Sequence, residues 1–266
     1  MNEVVKEEKV LEQTSNSQMK LHHPQTANIG VFGIGYDVYW SQFEGLLDEM
    51  MEKLEVFIKK IPDDICVQNF GMIDSPEKAY EVVKNMKASN VDLLFCDMLT
   101  YGTSGTFATI ARNINVPIVL VALQPLEAMD YTKASTYMQL MNDDICALPE
   151  FTGVALRLGK KAPYTIIGTL YDDSLVDNEI NEYCKIAKVL HDLKNAQLGH
   201  IGHPLNSMLD MHTDPTMLTS FFGCHIVACE PNQLMACYED VKEKDISEKE
   251  EQILNFFDTP DPESDP

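Results

Sequence analysis

The stretch Thr100-Tyr101-Gly102-Thr103-Ser104-Gly105-Thr106 gathers hydroxyls and glycines directly after an apolar run and ahead of a segment of helical period. Free backbone N–H groups at such a junction can bind an anion or a polyol. The stretch has no lysine, so it is not a phosphate-binding P-loop. The competing interpretation is a plain turn with a helix cap. Gln124, directly after the next apolar run, carries an amide that both donates and accepts hydrogen bonds, as sugar hydroxyls require. A second stretch, Val31-Phe32-Gly33-Ile34-Gly35-Tyr36-Asp37-Val38, has the first two glycines of a dinucleotide-binding turn. Val38 stands where the third glycine belongs, and Asp74, the first acid after the second strand, lies about twice as far along as the roughly 20 residues a ribose contact needs. What remains is a tight turn at the carboxyl end of a strand, where open α/β sheets bind ligands of many kinds.

His200, His203, His212 and His225 cluster with Asp210 and Asp214, a ligand set that suits a metal by type but matches no zinc spacing. His200 and His225 each fall in a different apolar strand, so a hydrogen-bonded loop is the preferred reading. No nucleophile elbow with Ser, His and Asp is present, and no cysteine sits in a recognisably electropositive setting. Cys66, Cys96, Cys146, Cys184, Cys224, Cys229 and Cys237 are odd in number, scattered and mostly within apolar runs, as expected for reduced thiols in a cytoplasmic protein.

The elements that must position these residues alternate between short apolar runs and longer segments of helical period. Strands are predicted over 28–34, 65–70, 91–95 and 117–123, with helices over 39–60, 76–88 and 104–113. Ser75-Pro76 supplies a cap followed by proline at the first helical position. The run Gly159-Lys160-Lys161-Ala162-Pro163 reads as a hinge, after which strands are predicted over 164–170, 196–201 and 224–229. Ser247-Glu248-Lys249-Glu250 has the form of a capping box ahead of a last helix. The pattern predicts an α/β protein with two open parallel sheets, Rossmann-like or flavodoxin-like, with helices on both faces. The expected divisions are a disordered tail over 1–27, an N-terminal domain over 28–162, an incomplete second domain over 163–257, and a linker over 258–266.

The 266 residues carry 20 Lys and Arg against 42 Asp and Glu, a net charge of −22 that repels nucleic acid and anionic membrane surfaces. Between Glu239 and Pro266 stand 11 acids and 3 lysines, which read as a solvated face and tail. The first residues lack the continuous apolar core of a signal peptide, and no run has the length of a membrane span.

Taken in order, Ile34-Gly35-Tyr36-Asp37-Val38-Tyr39-Trp40, Asn69-Phe70-Gly71-Met72-Ile73-Asp74-Ser75, Val91-Asp92-Leu93-Leu94-Phe95, Thr100-Tyr101 with Ser104, and Leu123-Gln124-Pro125 resemble the N-terminal domain of the L-arabinose and L-fucose isomerase family. Ile167-Gly168-Thr169, Gly202-His203-Pro204, Met208-Leu209-Asp210-Met211-His212-Thr213-Asp214 and Phe222-Gly223 look like that family's central domain. The resemblance spans residues 28–257. It implies metal-dependent conversion of an aldose to a ketose, with a divalent ion, typically manganese, held by Glu and His residues that the family carries later in the chain. On that basis the chain has no catalytic residue and no metal ligand of its own. Tyr36, Thr100, Tyr101 and Gln124 are the expected substrate contacts, Gln124 matching a family glutamine near the sugar. Tyr36 stands where the arabinose isomerases carry a glutamine, so the sugar itself is not fixed. The family assembles as trimers or hexamers with sites at subunit boundaries, which implies a homo-oligomer or a C-terminal partner chain. The expectation is therefore the N-terminal portion of a cytoplasmic sugar isomerase, inactive alone. The alternative is a sugar-binding or sensing module that closes on its ligand without catalysis.

Overall fold

The computed structural model describes residues 26–256 and falls into two compact units that part between Asp192 and Leu193. Both are α/β, as the alternation of strand and helix patterns predicts.

The first unit is a five-stranded sheet of β1 (Asn28–Ile34), β2 (Cys66–Ile73), β3 (Leu93–Met98), β4 (Ile118–Gln124) and β5 (Tyr164–Thr169). Every neighbouring pair is parallel, and the order across the sheet is β2-β1-β3-β4-β5. Its helices are α1 (Leu46–Ile58), α2 (Pro76–Ala88), α3 (Ser104–Asn113), α4 (Thr136–Met141), α5 (Leu148–Arg157) and α6 (Ser174–Asn195), whose last three residues fall past the division. The central strands read as nearly continuous apolar runs because both of their faces are covered. Ile29, Val31, Leu93, Phe95, Val119 and Val121 meet α1 and α6 in one core. Phe32, Ile34, Leu94, Cys96, Leu120 and Ala122 meet α2, α3 and α5 in the other. The alternation along each strand thus sorts side chains between two helical layers.

Three local expectations are corrected. The break expected near Pro163 is not where the chain divides. Gly159, with φ of 73°, ends α5 in the left-handed form, and the Lys-Lys-Ala-Pro run that follows delivers β5 to β4 with Val121 opposite Ile166. Sheet membership is decided by pairing, which local composition does not record. The first helix starts at Leu46 and not at residue 39, because Gly45 at φ 82° interrupts the chain after a 3₁₀ turn over Asp37–Tyr39. Ala27, assigned to the tail, is fully buried, and its carbonyl accepts from the Cys66 N–H at 3.0 Å. Residues 1–25 of that tail and the linker over 258–266 lie outside the described residues.

Ser75 behaves as predicted. Its hydroxyl accepts from the Lys78 N–H at 3.3 Å, with Pro76 opening the helix. Ser75→Ala is expected to cost about 1 kcal/mol, read as a lower urea midpoint at unchanged slope.

The second unit carries the parallel pair β6 (Gln197–Ile201) and β7 (His225–Cys229), with α7 (Pro215–Phe222), α8 (Pro231–Asp240) and α9 (Glu243–Phe256). All five residues of β6 are exposed. Helix α9 begins four residues ahead of Ser247, whose hydroxyl donates to the Glu243 carbonyl at 3.0 Å, so the predicted capping box is not used as a cap.

A candidate ligand crevice at the switch point of the first sheet

The strand order reverses at β1 and β3, since the chain leaves β1 toward β2 on one side and β3 toward β4 on the other. Where the two crossovers part in such a sheet, the space beyond the carboxyl ends of the strands is the usual ligand position, and it is taken here as the candidate crevice. The loop after β1 supplies Tyr36, Tyr39 and Trp40, and the loop after β3 supplies Thr100 and Tyr101.

The structure brings Tyr36 and Tyr101 together across the crevice, with ring centroids 6.2 Å apart and planes at 78°. Tyr36 also stands edge-on to Tyr39 at 5.5 Å. The first loop is anchored from β2. Trp40 donates its indole N–H to Asp74 Oδ2 at 2.8 Å, and the Asp37 N–H reaches the Asp74 carbonyl at 3.3 Å. The glycines permit this packing. A Cβ on Gly35 would lie 3.0 Å from the Trp40 ring, and one on Gly102 would lie 3.3 Å from the Gly35 carbonyl. Gly33 and Gly35 are thus explained by close packing against Leu99 and Trp40, with no phosphate approach required.

Glu150, which the sequence reading did not single out, closes the far wall. Its carboxylate accepts from the Ser104 N–H at 3.0 Å and from the Tyr101 hydroxyl at 3.4 Å. The contacts at Ser104 hold this carboxyl below the usual range, so it stays ionised. Thr103 Oγ1 accepts from the Thr106 N–H at 3.4 Å. The start of α3, offered by the sequence as an anion site, is therefore already served by the protein's own carboxylate and hydroxyl. Burial, then Glu150, pushes the Tyr101 phenol up, and burial, then Asp143, does the same for Tyr39, so both keep their hydroxyl protons at neutral pH. The Cys146 thiol is pushed up to about 12 by loss of solvent and then by Asp143, which makes it a poor nucleophile.

Two of the expected contacts change character. Thr100 is withdrawn from the surface: it is fully buried, and its Oγ1 has no hydrogen-bond partner. Gln124 ends β4 with its amide nitrogen committed to the Asn142 carbonyl at 2.8 Å. Behind these loops lies a charged cluster that the sequence did not reveal. Lys53 of α1 reaches Asp144 at 2.6 Å, with side chains 7% and 0% exposed, and Asp97 of β3 is buried on the same side. Burial outweighs the attraction of Lys53 and raises the Asp144 carboxyl to about 7. It raises Asp97 well above the ordinary range as well, with Asp144 adding to the shift.

Among the described residues, no group of three or more His, Cys, Asp and Glu side chains is arranged to hold a metal ion. In the second unit His225 pairs with Gln197 and His200 with Ala228, three positions apart along the sheet, and Asp214 is spent capping α7 through Thr216 at 2.8 Å. The described residues therefore do not fit the metal that the resemblance implies.

Strand order defines the first unit as a doubly wound α/β domain of flavodoxin-like order, with Tyr36, Tyr101 and Glu150 gathered at its switch point. The chain matches no family model and no curated protein. Among the described residues no helix is long and apolar enough to cross a membrane.

Proposed function

We propose that the first unit holds an uncharged sugar in this crevice, as the substrate-binding portion of a cytoplasmic aldose–ketose isomerase similar to the L-arabinose and L-fucose isomerases. The observation that carries the reading is the meeting of Tyr36 and Tyr101 at the switch point, with the Glu150 carboxylate on the Tyr101 hydroxyl. Aromatic rings offer apolar faces and a polar tip, which suits the C–H face and hydroxyl rim of a pyranose or open-chain sugar. A carboxylate kept ionised accepts hydroxyl protons, and in an acidic crevice it disfavours anionic ligands. On this reading Tyr36, Tyr101 and Glu150 bind and orient the sugar. A divalent ion such as manganese, which would polarise the sugar oxygens, is held by residues outside those described, from a partner chain or another subunit of a homo-oligomer.

Trp40 is the only tryptophan in the chain and sits in the loop beside Tyr36, so its emission reports on the crevice. Titration with L-arabinose, L-fucose and their ketoses is expected to shift that emission saturably and to raise the melting temperature. Tyr36→Ala is expected to weaken the affinity by about tenfold, or about 1.4 kcal/mol. If no sugar moves either signal, the reading is wrong. Ketose formation by this chain alone with manganese would overturn the division of labour. A sugar response without turnover, even after a C-terminal partner chain is added, would favour the sensing module instead.

A further inference from the structure

We infer that Lys53 is a positioning residue, a buried cation that sets where the walls of the crevice stand without touching what binds there. Its Nζ donates to the Leu99 carbonyl at 2.9 Å, the Met141 carbonyl at 3.0 Å and Asp144 Oδ1 at 2.6 Å. An ammonium has three protons and no acceptor, so the group is saturated and has nothing left for a ligand. Each partner lies at the root of a segment that builds the crevice. Leu99 directly precedes Thr100 and Tyr101. Met141 adjoins Asn142, whose carbonyl takes the Gln124 amide at 2.8 Å and whose side chain takes the Leu126 N–H at 3.0 Å. Asp144 opens the run to Glu150, which returns to Tyr101 and to the Ser104 N–H. The contacts form a closed ring that passes from Lys53 through Tyr101 and Glu150 back to Asp144.

Stability alone does not account for this ring. Two of its oxygens, Thr100 Oγ1 and Asp144 Oδ2, are buried without a partner, and Asp97 adds a second buried acid beside the pair. Apolar side chains of similar volume often replace a buried ion pair with no loss of stability. What apolar groups cannot supply is the three-way tie, which fixes two loop roots and one helix end relative to α1. The inference rests on the sugar-binding reading only for the identity of the bound molecule.

The test uses the double variant Lys53→Met with Asp144→Leu, because the single change leaves a buried carboxylate alone and destabilises the whole unit, which would mask a local effect. Peptide-resolved hydrogen exchange should rise about tenfold or more in residues 99–104 and 141–150, with the peptides of β3 and β4 unchanged. The affinity for L-arabinose or L-fucose, read from Trp40, should fall by a similar factor while the melting temperature stays close to that of the parent. Unchanged exchange in those two segments, a uniform rise across the unit, or unaltered sugar affinity despite a local rise would each overturn the role given to Lys53. If the parent chain binds no sugar, the sugar reading fails, and the exchange result still decides whether Lys53 holds the loops.

Discussion

Lys53→Met is expected to lower the free energy of unfolding by about 3–5 kcal/mol near pH 8, the usual result of leaving one member of a buried ion pair behind. The lysine is 7% exposed at its side chain, and the carboxylate it faces is 0% exposed, so neither water nor salt can take its place. The pH dependence gives the effect a signature. The Asp144 carboxyl is raised from 3.8 to about 7, so between those values the folded state binds more proton than the unfolded chain. Its contribution to stability is therefore fully present below about pH 4 and is lost as the pH rises through about 7. Removing Lys53 takes away the charge that lowers this carboxyl, so the variant carries the loss to still higher pH. The stability gap between parent and variant should widen from pH 6 to pH 8 in urea titrations. A gap that is flat or narrows over that range would mean that Asp144 is not the group left unpaired.

How much of this was legible in the sequence depended on how local each signal was. Strands β1 to β4 and the Ser75-Pro76 start of α2 were readable because runs of buried residues and a cap declare themselves within a few positions. The turns bearing Tyr36 and Tyr101 were readable because glycines and hydroxyls gather where strands end. That the two tyrosines meet was not readable, since it depends on β1 and β3 being neighbours while β2 lies outside them. The position of β5 is not legible for the same reason: Gly159 to Pro163 has the composition of a hinge, and only the pairing of Val121 with Ile166 shows it to be a loop within one sheet.

The site residues followed the same division. Lys53 looks like a solvent-facing lysine on an amphipathic helix, and nothing near it in sequence shows that Asp144, 91 positions on, will meet it. Glu150 hid within the first turn of α5, where an acid is ordinary. Thr100 failed in the opposite sense. A threonine in a hydroxyl-rich loop suggests a ligand, but the loop turns it inward, where it becomes part of the frame behind the crevice.

Phe151→Ala is the second large effect, and it tests whether that frame has its other anchor in the core beneath α5. Phe151 is fully buried and stacks on Phe107 of α3, with centroids 4.6 Å apart and planes 10° from parallel. Truncation removes the stack and leaves a cavity between two helices that close-packed neighbours fill only in part, which costs about 3–5 kcal/mol. The residue before it is Glu150, so the seat of α5 also decides where the carboxylate reaches Ser104 and Tyr101. Glu150→Gln keeps an acceptor there and loses only charge at a helix start, worth about 0.3–1 kcal/mol. The pair of variants separates the two contributions. Urea unfolding should show the large loss only in Phe151→Ala, whereas weakened sugar binding through Trp40 should appear in both. A Phe151→Ala loss below about 1 kcal/mol would mean that the site collapses without a cavity, and that α5 is held in place by Lys53 and Asp144 without help from the stack.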